Sequence, residues 1–126
     1  EKLMSGLQNG GLYRNVDISI KRSNHTPPSH IKVYDRMKKY FDTINQDGVE
    51  LYEQIAFSHL QLAKIHPFLD GNGRCARLVL NYNLLKNGLK PIIIEANKKD
   101  EYFNYLEEFK VNKDILPFIN FLKNNQ

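Results

Sequence analysis

Apolar residues recur at helical spacing over most of this chain. From about Ser29 to the break at Asn45-Gln46-Asp47-Gly48, Ile31, Tyr34, Met37 and Phe41, with Lys38 among them, line one side at three- and four-residue intervals. Ser29 is the expected N-cap. Residues 49–65 predict the longest helix. Leu51, Ile55, Leu62 and Ala63 share a face, with Leu60 and Ile65 at its rim. His59 falls near that face and reads as a packed or hydrogen-bonded histidine rather than a ligand or base. Residues 74–87 repeat the pattern through Leu78, Val79, Tyr82 and Leu85, and Asn87-Gly88 followed by Pro91 ends it. Two further helices are predicted over 98–110 (Phe103, Leu106, Phe109 to Lys110) and 114–123 (Ile115, Phe118, Ile119, Leu122). Pro117 is tolerable in the first turn of the second. At the start, Leu3, Met4 and Leu7 suggest the end of a helix stopped by Asn9-Gly10-Gly11.

One stretch changes period. Val16, Ile18 and Ile20 alternate with Asp17 and Ser19, the two-residue pattern of a strand. Arg22 to Ser29, with Pro27 and Pro28, then reads as turn and extended chain. Such a strand or hairpin has no obvious partner, and an unpaired edge invites one. Pro91-Ile92-Ile93-Ile94 suits either a short strand or a buried connection. The expected class is all-α with one β excursion over residues 16–28.

Composition narrows the setting. A length of 126 residues suggests one domain over 1–126, and a start at Glu1 rather than Met suggests a piece truncated at its N-terminus. The net charge of +4 comes with scattered lysines and no arginine-rich run, so a solvated surface is favoured over direct nucleic-acid binding. A single cysteine, Cys75, excludes an internal disulfide framework and fits a reducing, cytoplasmic setting. No apolar run approaches the roughly 18 residues of a membrane span.

The candidate chemistry lies between two predicted helices, in His66-Pro67-Phe68-Leu69-Asp70-Gly71-Asn72-Gly73-Arg74-Cys75-Ala76-Arg77. Gly71-Asn72-Gly73 opens a helix, where successive amides and the helix dipole favour an anion. Arg74 and Arg77, three apart, offer forked permanent charges to phosphate oxygens. Asp70 beside an anion nest is repulsive unless a cation lies between them, and Mg²⁺ bridging carboxylate and phosphate answers that. His66 is the one group that accepts a proton near neutral pH. Together they describe a polyphosphate on a helix N-terminus, with metal on one side and a base at the reacting end. The stretch is not a Walker A loop, because no Gly-Lys-Ser/Thr follows, nor a dinucleotide fingerprint, because no strand precedes it. A zinc site from His59, His66 and Asp70 has the wrong spacing for two ligands on one helix face.

This stretch resembles, at every defining position, the His-x-Phe-x-Asp/Glu-Gly-Asn-Gly-Arg-x-x-Arg motif of the Fic (filamentation induced by cAMP) family. Gly11-Leu12-Tyr13-Arg14, the extended segment to Pro27-Pro28, Asn87-Gly88-Leu89-Lys90-Pro91 and Asp114-Ile115-Leu116-Pro117-Phe118 look like further landmarks of that family. The resemblance thus covers nearly the whole chain and implies a mostly helical domain with a short β-hairpin flap. The implied activity is transfer of AMP from ATP to a Ser, Thr or Tyr hydroxyl of a target protein. In that picture His66 resembles the general base and Phe68 the anchor of the loop. Asp70 would bind Mg²⁺, Asn72 and the amides of Gly71 and Gly73 would hold phosphates, and Arg74 and Arg77 would contact the β- and γ-phosphates. Tyr102, Phe103 and Asn112 are the adenine-pocket candidates. Val16, Ile18, Ile20, Pro27 and Pro28 would form the flap on which a target protein docks.

The resemblance leaves alternatives. A family branch with Lys in place of Arg74 transfers phosphate, so Arg74 favours nucleotidyl transfer; other nucleotide or phosphocholine donors, or a catalytically weak binding module, stay open. Targets at family level include bacterial topoisomerase subunits and host GTPases, the latter implying delivery into a host cell. Many members carry an inhibitory Ser/Thr-x-x-x-Glu-Gly/Asn helix. Ser5 to Gly10 has Asn9, and Thr43 to Gly48 has Asp47, where that glutamate belongs. Restraint would therefore come from a segment outside this one, from a separate antitoxin chain, or not at all.

Overall fold

A computed structural model describes residues 12–126. Among them five α-helices follow in order: α1 His30–Ile44, α2 Leu51–Ile65, α3 Asn72–Lys86, α4 Lys99–Asn112 and α5 Leu116–Asn124, with a 3₁₀ turn Ala96–Lys98 leading into α4. The helix expected before Asn9 lies outside the described residues.

The α2 helix is the hub, touching α1, α3, α4 and α5. Its C-terminal half buries Leu62, Ala63 and Ile65 with Val33, Met37 and Tyr40 of α1 and Cys75 and Ala76 of α3. A second cluster buries its Ile55, Ala56 and Leu60 with Leu80 and Leu84, Phe109, and Phe118, Phe121 and Leu122. Each fully buried Leu, Ile or Phe contributes about 1.5–3 kcal/mol. Leu60 and Ile65, expected at a rim, are buried to 0% and 1% exposure because α2 is enclosed from several sides. The Glu50 carboxylate caps α2, accepting from the Tyr52 and Glu53 amides at 3.0 Å each.

Two predicted stripes are displaced. Ile31, Tyr34 and Phe41 of α1 and Leu78, Tyr82 and Leu85 of α3 are exposed. Both helices carry apolar residues on adjacent stripes, and the stripe with the smaller or better-satisfied members faces α2. Cys75 and Ala76 let α3 approach closely, and the Tyr40 hydroxyl donates to the Ser58 carbonyl at 2.6 Å, so that ring can be buried.

The alternation at Val16, Ile18 and Ile20 does not form a strand among the described residues. Residues 12–29 run as extended chain and turns, with no second strand beside them. Side chains supply the order instead. Asp17 Oδ1 accepts from the His30 amide at 2.8 Å, from its ring Nδ1 at 2.7 Å and from Ser29 Oγ at 3.1 Å. Asp17 thereby caps α1 from outside, and the Ser29 side chain makes no cap bond of its own. These hydrogen bonds, the backbone one first, hold the Asp17 carboxyl down at about 2. Pro91 to Ile94 is a connection rather than a strand. Asn81 plays the part of a ladder partner, accepting from the Ile92 amide at 2.7 Å and donating to its carbonyl at 3.0 Å.

Candidate active site

The site assembles where α2 ends and α3 begins. His66 is the C-cap of α2, with φ 52°, and its amide donates to Leu62 O at 3.0 Å. The left-handed conformation turns the chain out of the helix and leaves the ring on the wall of a cleft of about 380 Å³ shared with Leu69, Asp70, Gly71, Asn72, Gly73, Arg74 and Arg77. Burial, together with the charges of Lys110 and Arg14, lowers the His66 pKa to about 4. The ring is therefore neutral at pH 7. A neutral imidazole keeps one ring nitrogen without a proton, the state in which it can accept one.

Opposite stands the N-terminus of α3. Its N-cap is Gly71, at φ 81°, with no side-chain cap, and the first intrahelical bond runs from Cys75 N to Gly71 O at 2.9 Å. The amides of Asn72, Gly73 and Arg74 precede that bond and have no partner within the helix, which leaves three donors at the positive end of a dipole. The Gly71 amide is already taken by Asp70 Oδ1 at 2.9 Å. The Asn72 side chain also turns away from the cleft: it is buried and bridges the Phe68 amide (2.9 Å) and the Phe68 carbonyl (2.6 Å). Asn72 thus braces the loop, and its contribution to an anion is its backbone N–H. Phe68 packs on the α1–α3 cluster and on Tyr13, ring centroids 5.9 Å apart.

Arg74 and Arg77 are exposed. Arg77 folds back over the helix start: a Cβ at Gly73 would stand 3.1 Å from Arg77 Nη1. Gly73 therefore gives the guanidinium its room. Arg77 also lines a second, larger cavity of about 540 Å³ with Ile92, Tyr102, Phe103 and Leu106, so it stands at the junction of cleft and cavity.

Of the three adenine-pocket candidates, two reach this cavity. Phe103 forms wall. Tyr102 lies mostly inward, its hydroxyl 2.7 Å from His59 Nε2. His59 Nδ1 faces the Ala76 carbonyl at 2.8 Å, an acceptor only, so Nδ1 donates and Nε2 receives the Tyr102 proton. His59 is fully buried, stacks on Phe118 at 5.2 Å, and is a structural histidine with both nitrogens bonded. Burial lowers its pKa to about 4 and raises that of Tyr102 to about 12. Asn112 is not brought to the cavity: it is exposed in the last turn of α4, where its amide donates to Glu108 at 3.1 Å.

Sequence reading assigned no role to Arg14, which is 4% exposed. Its Nε donates to His66 O at 2.8 Å, Nη1 to Val16 O at 3.0 Å, and Nη2 to Pro28 O at 2.6 Å and Ile65 O at 3.3 Å. One guanidinium thus ties both ends of the 14–28 segment to His66, and the Arg14 amide adds a bond to Pro67 O at 2.9 Å. The only sequence signal was its place in the Gly11-Leu12-Tyr13-Arg14 landmark. Of the expected flap residues, Pro27 is buried, Ile18, Ile20 and Pro28 are half-buried, and Val16 is 44% exposed.

Residues 1–84 match the model of the Fic/DOC family. The chain belongs to the Fic/DOC family. Among curated Fic relatives, the protein adenylyltransferase Fic of Nematostella vectensis is 36% identical over 115 residues, 89% of this chain and 26% of that protein. A Fic-domain-containing signalling protein of Bacteroides thetaiotaomicron superposes with a TM-score of 0.82 at 29% identity, covering 91% of this chain and 50% of that one. Fic-1 (residues 134–508) of Caenorhabditis elegans does so with a TM-score of 0.77 at 27% identity, covering 91% and 34%. The chain thus spans about a quarter of the length of the curated Fic relative it matches. No helix among the described residues is long and apolar enough to cross a membrane.

Proposed function

We propose that this chain is the catalytic core of a protein adenylyltransferase that moves AMP from ATP to a Ser, Thr or Tyr hydroxyl of a target protein. The observation that carries the reading is the meeting, in one cleft, of a neutral His66 with three unbonded amides at the α3 N-terminus and two arginines. The amides of Asn72, Gly73 and Arg74 hold phosphate oxygens, Arg74 takes the β-phosphate and Arg77 the γ-phosphate. His66 takes the proton of the attacking hydroxyl, whose oxygen bonds to the α-phosphorus. The α–β bridging bond breaks, and pyrophosphate leaves with the electron pair. Charge on the α-phosphoryl oxygens is met by amides already aligned by the helix.

The site fits Mg²⁺. Among the described residues no three acidic, histidine or cysteine side chains group as a cage, but Asp70 is an exposed carboxylate beside a phosphate cradle. One carboxylate plus substrate phosphates is how this ion is usually held. When bound it supplies charge neutralisation to the phosphates. Phe103, with Tyr102 behind it, forms one wall for the base. The extended 16–28 segment is where a target protein docks, its exposed Val16 edge pairing with a target strand as the second strand of the flap. Supporting this reading, Fic relatives of 29–36% identity are named protein adenylyltransferases.

The test is transfer of label from α-³²P-ATP and from γ-³²P-ATP to proteins of a lysate with Mg²⁺. Label from the α position alone is expected, with His66→Ala losing transfer while still binding ATP. Label from the γ position alone, or retained transfer by His66→Ala, overturns the assignment.

A further inference from the structure

Arg22 occupies a conformation that folding alone does not explain. It is the third residue of a turn closed by Ser23 N–H donating to Ile20 O at 3.1 Å, and its φ is 70°. Side chains are disfavoured there, and glycine is the usual occupant of that position. The rest of the segment does not depend on Arg22. Glu107 of α4 holds it, through Ser23 Oγ at 2.5 Å and the Asn24 amide at 3.1 Å. Among the described residues Arg22 pairs with Asp100 at 3.8 Å, between side chains 71% and 92% exposed, and such pairs are weak. What the conformation achieves is placement. The guanidinium lies over the Phe103 ring, 5.3 Å from its centroid, at the edge of the cavity of about 540 Å³ that both residues line. The cavity's other apolar lining includes Ile92, Ile94 and Leu106, with Asn81, Lys99 and Asp100 adding polar wall, and Arg77 joins it to the phosphate cleft. Phosphates in the cleft therefore direct the attached nucleoside toward the Phe103–Arg22 pair.

We propose that Arg22 and Phe103 are the two jaws of a clamp for the nucleotide base, Arg22 leaving the ring face as the planar base enters and closing on the base's outer side. This rests on the nucleotide reading above and adds to it a base-holding residue on the flap segment. A phenyl face and a guanidinium plane both stack on a purine, and the weak Asp100 contact lets the guanidinium move at little cost.

The experiment compares wild type with Arg22→Gly, a change that relieves the φ 70° conformation while removing one jaw. Affinities for ATP and for inorganic tripolyphosphate are measured by calorimetry, and thermal unfolding is followed in parallel. The expected result is roughly two- to fivefold weaker ATP binding, unchanged tripolyphosphate binding, and an unfolding midpoint no lower than wild type. Unchanged ATP affinity overturns the clamp. Equal weakening of both ligands assigns Arg22 to the phosphates instead, and a lowered midpoint makes it a structural latch; either result overturns the proposal. If wild type binds tripolyphosphate but ATP no more tightly, the clamp fails and the phosphate site stands. If wild type binds neither, the nucleotide reading itself falls.

Discussion

Arg14→Ala removes a buried cation that organises the site without lining its cleft. Three of its bonds to carbonyls, at 2.6, 2.8 and 3.0 Å, have good geometry, and the fourth at 3.3 Å is longer. Hydrogen bonds from a charged donor contribute about 1.5–3 kcal/mol each, and carbonyls left unpaired inside keep their desolvation cost. Three such bonds give about 4.5 kcal/mol at the low end. Release of the guanidinium from a desolvated site, the cost that lowers its pKa, returns part of this. The expected loss is about 3–4 kcal/mol, a large share of the roughly 5–15 kcal/mol of a typical domain. In urea this corresponds to a midpoint lower by about 2 M at an ordinary slope. Arg14→Lys should recover less than half of it, because one ammonium does not reach carbonyls at Val16, Pro28 and His66 together. Equilibrium unfolding followed by circular dichroism measures both variants. A loss below about 1 kcal/mol in Arg14→Ala, or full rescue by lysine, would refute the idea that one planar fork ties the 14–28 segment to His66.

Two further outcomes are expected. Gly73→Ala puts a methyl 3.1 Å from Arg77 Nη1, so it should stabilise the helix by up to about 1 kcal/mol through propensity while weakening tripolyphosphate binding several-fold; unchanged binding would show that Arg77 does not need its seat over residue 73. His59, with a pKa near 4 when folded against about 6.5 unfolded, keeps its full stability above pH 6.5, and stability falls as pH drops from there through 4, because the unfolded chain takes up a proton that the folded one refuses; potentiometric or calorimetric proton counting at pH 5.5 should find net uptake on unfolding, and His59→Gln should reduce it.

The helices and the loop were legible in the sequence because each is written locally. Spacing at three and four, Gly88 after α3 and Pro117 in the first turn of α5 all act within a few residues. Which stripe of α1 or α3 turns inward was not. That choice is made by the partner: Val33, Met37 and Tyr40 win over Ile31, Tyr34 and Phe41 because α2 meets them, and periodicity holds no record of the neighbour. The strand expected at Val16 to Ile20 failed for a similar reason, since alternation describes one edge while a ladder needs two. Within the site, His66, Asp70, Gly73, Arg74 and Arg77 line one cleft, and Phe68 packs behind it on the α1–α3 cluster. The role of the Asn72 side chain and the four-way grip of Arg14 depend on carbonyls whose directions appear only after folding. Asn112, an adenine-pocket candidate by family resemblance, is exposed in α4's last turn and does not line the cavity.

His66 ends α2 in a left-handed conformation that glycine or asparagine adopts at less cost. The position that stops the helix and the position proposed to accept the proton are one residue. Selection for thermal stability alone would therefore press against His66, as against Arg22 and Lys113 at their own positive φ, and a laboratory library freed from the proposed chemistry would drift toward His66→Gly. A glycine at that place in a relative would mark a fold kept after its reaction was given up.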